Sequence, residues 1–272
     1  MKNILTATDF SITANKAIDY ALMIAKGQRT SVGLKLLNVY HISEELAPII
    51  SEQHIKKLSR HELFDITLYK HLQDLPQNID LEGVIRKGPI VPTILQEAKE
   101  GKADFIVLGR NGHSGIKDWL IGSTTTQLIN KSEVPVIVIP KMAAVKPPKK
   151  IALAIDDRFV PSHETLAPLY DMVDRFNTEL ILFHVEQETP HSNTHKETAI
   201  QIARKGYQIN LYKMDSEHTG DALIALAEQH QVDLLCIIKH DYTAWERMLH
   251  KSTTTSVASN SPLPFMILHD KL

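Results

Sequence analysis

The run Leu108-Gly109-Arg110-Asn111-Gly112, nine further residues, then Gly122-Ser123-Thr124-Thr125 is the stretch of this chain best suited to chemistry. It follows an apolar strand pattern, Asp104-Phe105-Ile106-Val107-Leu108. Glycines here let a backbone approach a ligand closely and take a positive φ. Gly122 and the hydroxyl residues after it read as a helix start, whose N–H groups and positive dipole end suit phosphate. Charge-assisted bonds from such amides are worth roughly 1.5–3 kcal/mol each, so a few of them suit a micromolar-range ligand. The spacing is neither of the commoner phosphate motifs. No Gly-Lys-Ser/Thr triplet occurs, and the first strand runs into Asp9-Phe10-Ser11 instead of G-x-G-x-x-G.

Other polar residues fit duller roles. Arg110 and Lys117 read as solvated loop side chains, and His113 as polar surface. His191 and His195 stand four apart, a spacing that can hold a metal, but no cysteine or acidic pair completes a set. His54 and His61 belong to a solvated helix face. Cys236, the single cysteine, lies in Leu234-Leu235-Cys236-Ile237-Ile238 and reads as core. Ser123 fits a helix start better than a nucleophile, and no catalytic residue is assigned.

These residues need a frame, and the chain repeats one. Lys2 to Asp9 recurs as Lys149 to Asp156, Leu36-Leu37-Asn38-Val39 as Leu182-Phe183-His184-Val185, and Ala103 to Leu108 as Val232 to Ile237. Ser123-Thr124-Thr125-Thr126 recurs as Ser252-Thr253-Thr254-Thr255, and Pro135 to Ile139 as Pro264 to Leu268. Two domains, 1–141 and 150–272, are therefore expected around a linker at 142–149 containing Pro147-Pro148.

Strands are predicted at Asn3–Thr8, Gly33–Val39, Asp80–Arg86, Phe105–Leu108 and Val136–Ile139. Helices are predicted at Thr13–Ala25 with Ser11 as N-cap, at about Glu44–Leu75, at Pro92–Glu100 and at Ser123–Asn130. The second half follows the same plan, with a shorter middle helix near Thr194–Lys205. Such alternation makes an α/β fold with a parallel sheet covered on both faces. Ligands of such sheets bind beyond the carboxyl ends of the strands, where strand order reverses. Asp9 and Gly109 both end strands there. Asp9 is placed to accept from a ribose, or to cap the following helix, and Val39 to border an adenine.

The 272 residues suit two domains, and a formal charge of -2 gives no electrostatic case for nucleic acid or an anionic membrane. No apolar run approaches a membrane span, the N-terminus does not read as a secretory signal, and the lone cysteine fits a reducing compartment. A cytoplasmic location is expected.

The residues Ile4 to Ser11, the loop Gly109 to Thr124 and the final Pro135 to Ile139, each with its repeat, make the chain resemble the universal stress protein family, as a tandem member. The resemblance implies two open, parallel five-stranded sheets of order 3-2-1-4-5, helices on both faces, related by a pseudo-two-fold. It implies ATP at a G-2x-G-9x-G-Ser/Thr loop, with Mg on the phosphates. Carried over by position, Ala7, Asp9 and Val39 contact adenine and ribose, while Leu108, Gly109, Gly112, Gly122, Ser123 and Thr124 contact ribose and phosphates. It also implies pairing of Val136–Ile139 with Phe265–Leu268 as an internal pseudo-dimer, with further homodimerisation left open.

The second half departs from this pattern. Lys239 is read in the place of Gly109, Tyr242 in that of Gly112 and Lys251 in that of Gly122, in a loop one residue shorter. Trp245 and Met248 are expected to plug it. The second domain is expected to be a pairing scaffold without nucleotide, and the whole an ATP-binding regulatory protein acting through unidentified protein partners. Two rival readings stand beside it. One is a slow ATP hydrolase or nucleotidyl transferase, with His113 or Asp118 near the phosphates. The other is an interaction protein that takes no nucleotide or a different adenine nucleotide.

Overall fold

The structure is a computed structural model. It describes residues 3–28, 30–40, 49–50, 57–73, 75–110, 122–155, 159–186, 194–216, 218–240 and 253–270. The chain divides into two compact units, Met1–Lys146 and Pro147–Leu272.

In the first unit β1 (Asn3–Ala7), β2 (Val32–Tyr40), β5 (Ile79–Lys87), β6 (Phe105–Gly109) and β7 (Val136–Ile139) form a parallel sheet of order β5-β2-β1-β6-β7. This is the expected 3-2-1-4-5 order, and it reverses between β1 and β6. The helices are α1 (Ile12–Lys26), α2 (Arg60–Leu72), α3 (Ile90–Glu100) and α4 (Ser123–Lys131). Continuous apolar runs such as Val136–Ile139 are buried along their whole length, as strands covered on both faces must be.

Helix α1 starts where Ser11 accepts a hydrogen bond from the Ala14 amide, a cap worth about 1 kcal/mol. Its buried face carries Ala14, Ala17, Ala21 and Ala25. These small side chains let the helix lie close over β1 and β6. Phe10 takes a left-handed φ of 68°, an unfavourable geometry for a bulky residue, to turn the chain from β1 into α1.

The second helix is shorter than its leucine spacing predicts. It starts after Ser59, whose hydroxyl accepts from the Glu62 amide while Glu62 accepts from the Ser59 amide. Upstream, β3 (Ile49–Ile50) and β4 (Lys57–Leu58) pair antiparallel, so Leu58 belongs to a strand. The reciprocal Ser59–Glu62 cap marks the true start.

The second unit repeats the plan. Its strands β8 (Lys150–Ile155), β9 (Glu179–Glu186), β10 (Ile209–Asp215), β11 (Leu234–His240) and β12 (Phe265–Asp270) pair in the parallel order β10-β9-β8-β11-β12. Its helices are α5 (His163–Phe176), α6 (Thr194–Ala203), α7 (Thr219–Gln229) and α8 (Thr253–Asn260). The buried face of α5 carries Leu166, Leu169, Met172 and Val173, and this helix lies close over β12.

Candidate functional site

Parallel strands joined by helices bring every helix N-terminus to the carboxyl edge of the sheet. In the first unit that edge gathers Ala7, Asp9, Val39, Leu108 and Gly109 with the start of α4. Strand register decides which residues share a face. Thr6 lies opposite Val107, so Ala7 and Leu108 are level, and Ala7 lies opposite Leu37, two residues before Val39. Ala7, Val39 and Leu108 therefore project from one face at the ends of three adjacent strands. Glu97 of α3 meets Lys35 on that same face, and α3 packs against α4. The three apolar residues thus form a floor beneath the α4 start.

Among the described residues, no side chain caps the α4 start. Gly122 is its N-cap, at φ -59°, and a Cβ there would meet no atom of the described residues within 4 Å. Ser123 is exposed, Thr124 half-buried and Thr125 buried. The Thr125 hydroxyl donates to the Gly109 carbonyl at 3.5 Å, the outer limit of such a bond.

Gly109 is a glycine for a different reason from the one expected. Its φ is not positive; among described glycines only Gly88 and Gly206 are in that region. A Cβ on Gly109 would stand 2.5 Å from the carbonyl carbon and oxygen of Thr13. The residue is therefore demanded by the close approach of α1. Arg110 is likewise not a solvated loop side chain. It is buried, its amide donates to the Ile139 carbonyl, and desolvation pushes its guanidinium pKa down.

Asp9 is exposed, and its Oδ1 accepts from the Ser11 amide at 3.0 Å, so it braces the corner leading into α1. Gly112, His113, Lys117 and Asp118 lie outside the described residues.

Two residues missed in the sequence shape the base end. Asn38, fully buried, donates through Nδ2 to the Thr8 carbonyl at 2.7 Å and accepts through Oδ1 from Arg60 at 3.2 Å. The Arg60 guanidinium also lies over the Tyr40 ring, 5.2 Å from its centroid. The signal was an asparagine inside an apolar run. Thr8 N–H donates to the Leu37 carbonyl, and Gly88 N–H to the Tyr40 carbonyl on the β5 side. By alternation the Val39 peptide groups face the β1 edge, just past the last β1–β2 register pair, Ala7 with Leu37.

In the second unit the register corrects the expected correspondence. Gly109 lies opposite Ile139, and Ile238 opposite Leu268. Ile238 stands in the place of Gly109, Lys239 in that of Arg110, and the two loops have equal length. Asn38 becomes His184, whose Nδ1 lies 3.4 Å from the Ile155 carbonyl and whose ring stacks on His195 of α6 with centroids 4.3 Å apart. His195 is thus a buried packing residue. Asp156, His191, Tyr242, Trp245, Met248 and Lys251 lie outside the described residues. No group of three or more His, Cys, Asp or Glu gathers as a metal set among the described residues. Cys236 is buried, and burial pushes its thiol pKa up. No described helix is long and apolar enough to cross a membrane.

Fold and site define a doubled α/β protein, each unit a doubly wound parallel sheet with a crevice at its switch point. The description "Universal stress protein family" matches residues 1–140 and 148–269. A universal stress protein of Synechocystis, Slr1230, is 23% identical over 297 residues, covering 98% of this chain and 99% of its own. Bacillus subtilis YxiE, also a universal stress protein, is 27% identical over 148 residues, covering 50% of this chain and 96% of its own. The crystal structure of a universal stress protein from Archaeoglobus fulgidus covers 98% of both chains, with a TM-score of 0.71 and 20% identity. The chain belongs to the universal stress protein family, as a tandem member.

Proposed function

We propose that the first unit binds ATP and that the protein works as a nucleotide-dependent regulatory module. The observation that carries this reading is the shared face of Ala7, Val39 and Leu108 beneath the α4 start. A base resting on that floor has the Val39 peptide groups at its edge. The ribose falls beside Asp9. The phosphates reach the amides of Ser123 and Thr124 at the N-terminal end of a helix, where negative charge is favoured. The sequence motif adds Gly109 and Gly112 to this reading as residues that border the phosphates. A divalent cation such as Mg accompanies the triphosphate, bound mainly through its oxygens. Regulation then operates through partner proteins that distinguish the loaded from the empty unit.

The test is to denature the purified protein and identify released nucleotide by mass spectrometry, with calorimetry against ATP, ADP, AMP and cyclic AMP. Gly122→Val is the matched control. Among the described residues nothing lies within 4 Å of a Cβ at Gly122, so valine clashes with none of them there, and its branches instead crowd the α4 amides. ATP released by the wild type and absent from the variant supports the reading. Absence of any adenine nucleotide from both, with no calorimetric heat, removes it.

A further inference from the structure

We infer that the outer face of α2 docks on the outer face of α6 in a second copy of this chain, so that the protein associates with itself head to tail. The two faces share no residue with the crevice of the first unit.

A helix lying on a sheet buries one apolar stripe and turns polar residues outward. Among the described residues two helices depart from that rule beyond their first position. Helix α2 carries Ile66, Tyr69 and Leu72 at 53%, 65% and 45% exposure, and α6 carries Ile200 at 51%. Ile12 and Ile90, also exposed, are the first residues of α1 and α3. One exposed apolar side chain is ordinary, but three at i, i+3 and i+6 make a continuous stripe. The inner side of α2 is filled by Leu63, Phe64 and His71, and that of α6 by His195, Thr198 and Ile202. The exposed residues therefore do not serve the cores of their own units. Both helices follow the second strand of their repeat.

Charge selects the partner. On α2 the exposed carboxylates Glu62 and Asp65 precede the apolar stripe, and the exposed Lys70 follows Tyr69. On α6 the exposed order is Glu197, Ile200, then Arg204 and Lys205, which line one open depression with Gln201. Arg204 and Lys205 continue the last turn, their amides donating to the Ile200 and Ile202 carbonyls. An antiparallel approach joins unlike charges at both ends. With Ile66 level with Ile200, Glu62 is level with Arg204, and Asp65 lies within a turn of it. Tyr69 is then level with Glu197, and Lys70 is the next residue along. Lys196 precedes Glu197 whereas Lys70 follows Tyr69, so in antiparallel helices these two lysines take opposite flanks. A parallel approach would set the carboxylates of α2 beside Glu197. Two α2 helices would offer one lysine to every two carboxylates, and two α6 helices would bury one isoleucine each. The ten residues of α6 span about 15 Å, so the contact falls at the small end of interface size and the association is weak and reversible. Its charge pairs are exposed, so salt weakens it further.

The test is analytical ultracentrifugation of the full-length protein over a wide range of concentration. The wild type is expected to show a mean mass that rises with concentration, and rises less at high salt. Asp65→Lys with Tyr69→Lys spoils the α2 face, and Arg204→Glu with Lys205→Glu spoils the α6 face. All four positions are exposed, so both double variants should keep the wild-type circular dichroism. Each alone is expected to stay monomeric. Their equimolar mixture is expected to associate, because the intact α6 of one meets the intact α2 of the other. A wild type monomeric throughout would overturn the inference. An α2 variant that still associates would overturn it in favour of α6 on α6, and an α6 variant that still associates in favour of α2 on α2. A mixture that stays monomeric would overturn it as well.

Discussion

Gly109 and Thr13 are in such close approach that a single added methyl at residue 109 would overlap the Thr13 carbonyl group at 2.5 Å. The contact joins the end of β6 to the first turn of α1, so it positions two sides of the crevice at once. In the second unit Ile238 takes the glycine's place, and α5, the counterpart of α1, packs against β12, whereas α1 packs on β6.

Gly109→Ala is therefore expected to destabilise the first unit by about 1–3 kcal/mol, the usual range for overpacking a tight contact. The atoms in the way are backbone and cannot rotate aside. Urea unfolding measures it. A midpoint within error of wild type would show that α1 can stand off from β6 at no cost. Gly122→Val should behave in the opposite manner, keeping the wild-type midpoint while losing ATP.

This pair also marks where sequence reasoning reached and where it stopped. The strands, the repeat and the Ser11 cap were legible, because apolar runs and cap residues act locally, whereas the strand order came from the family resemblance. The role of Gly109 was not. A glycine required by an approaching helix and one required by a ligand leave the same letter. Leu58, Leu68 and Leu72 suggested a helix over about Glu44–Leu75, but the Ser59–Glu62 cap fixes its start at Arg60. The misplaced Lys239 came from taking the second loop to be one residue shorter. Counting from Asp104 and Asp233, where the strands begin, gives Ile238.

Asn38 carries a second prediction. Its amide satisfies a buried strand-end carbonyl and an arginine together. Asn38→Ala should cost about 1–3 kcal/mol, the penalty for a buried polar group left without its partner. It should also weaken ATP binding, since the same carbonyl closes the β1–β2 end beside Val39. Asn38→His should be milder, because His184 makes the equivalent contact in the second unit. Urea unfolding and calorimetry on both variants check this. An alanine variant no worse than the histidine one would contradict it.

Acid should weaken the first unit in two stages. Burial holds the His71 imidazole pKa below its ordinary range, although Asp19, 3.6 Å from Nδ1, pulls the other way. The unfolded chain then takes up the proton more readily than the folded one. This contribution is complete above about pH 6.5 and is lost as pH falls from there through the lower folded value. Glu97 is also buried, which alone would raise its pKa. Hydrogen bonds from Lys35, at 3.0 Å, and from Arg86 outweigh burial and hold it low. Its contribution is present above about pH 4.3 and disappears as pH drops through the folded value. Urea unfolding of the wild type should show a declining midpoint between about pH 7 and pH 5, and a steeper decline below. His71→Gln should flatten the first stage only. Glu97→Gln should lower stability at neutral pH, where Lys35 and Arg86 lose their carboxylate partner, and reduce the second decline. A wild-type midpoint unchanged across the first interval would mean that His71 accepts its proton in place, with the pull of Asp19 prevailing over burial.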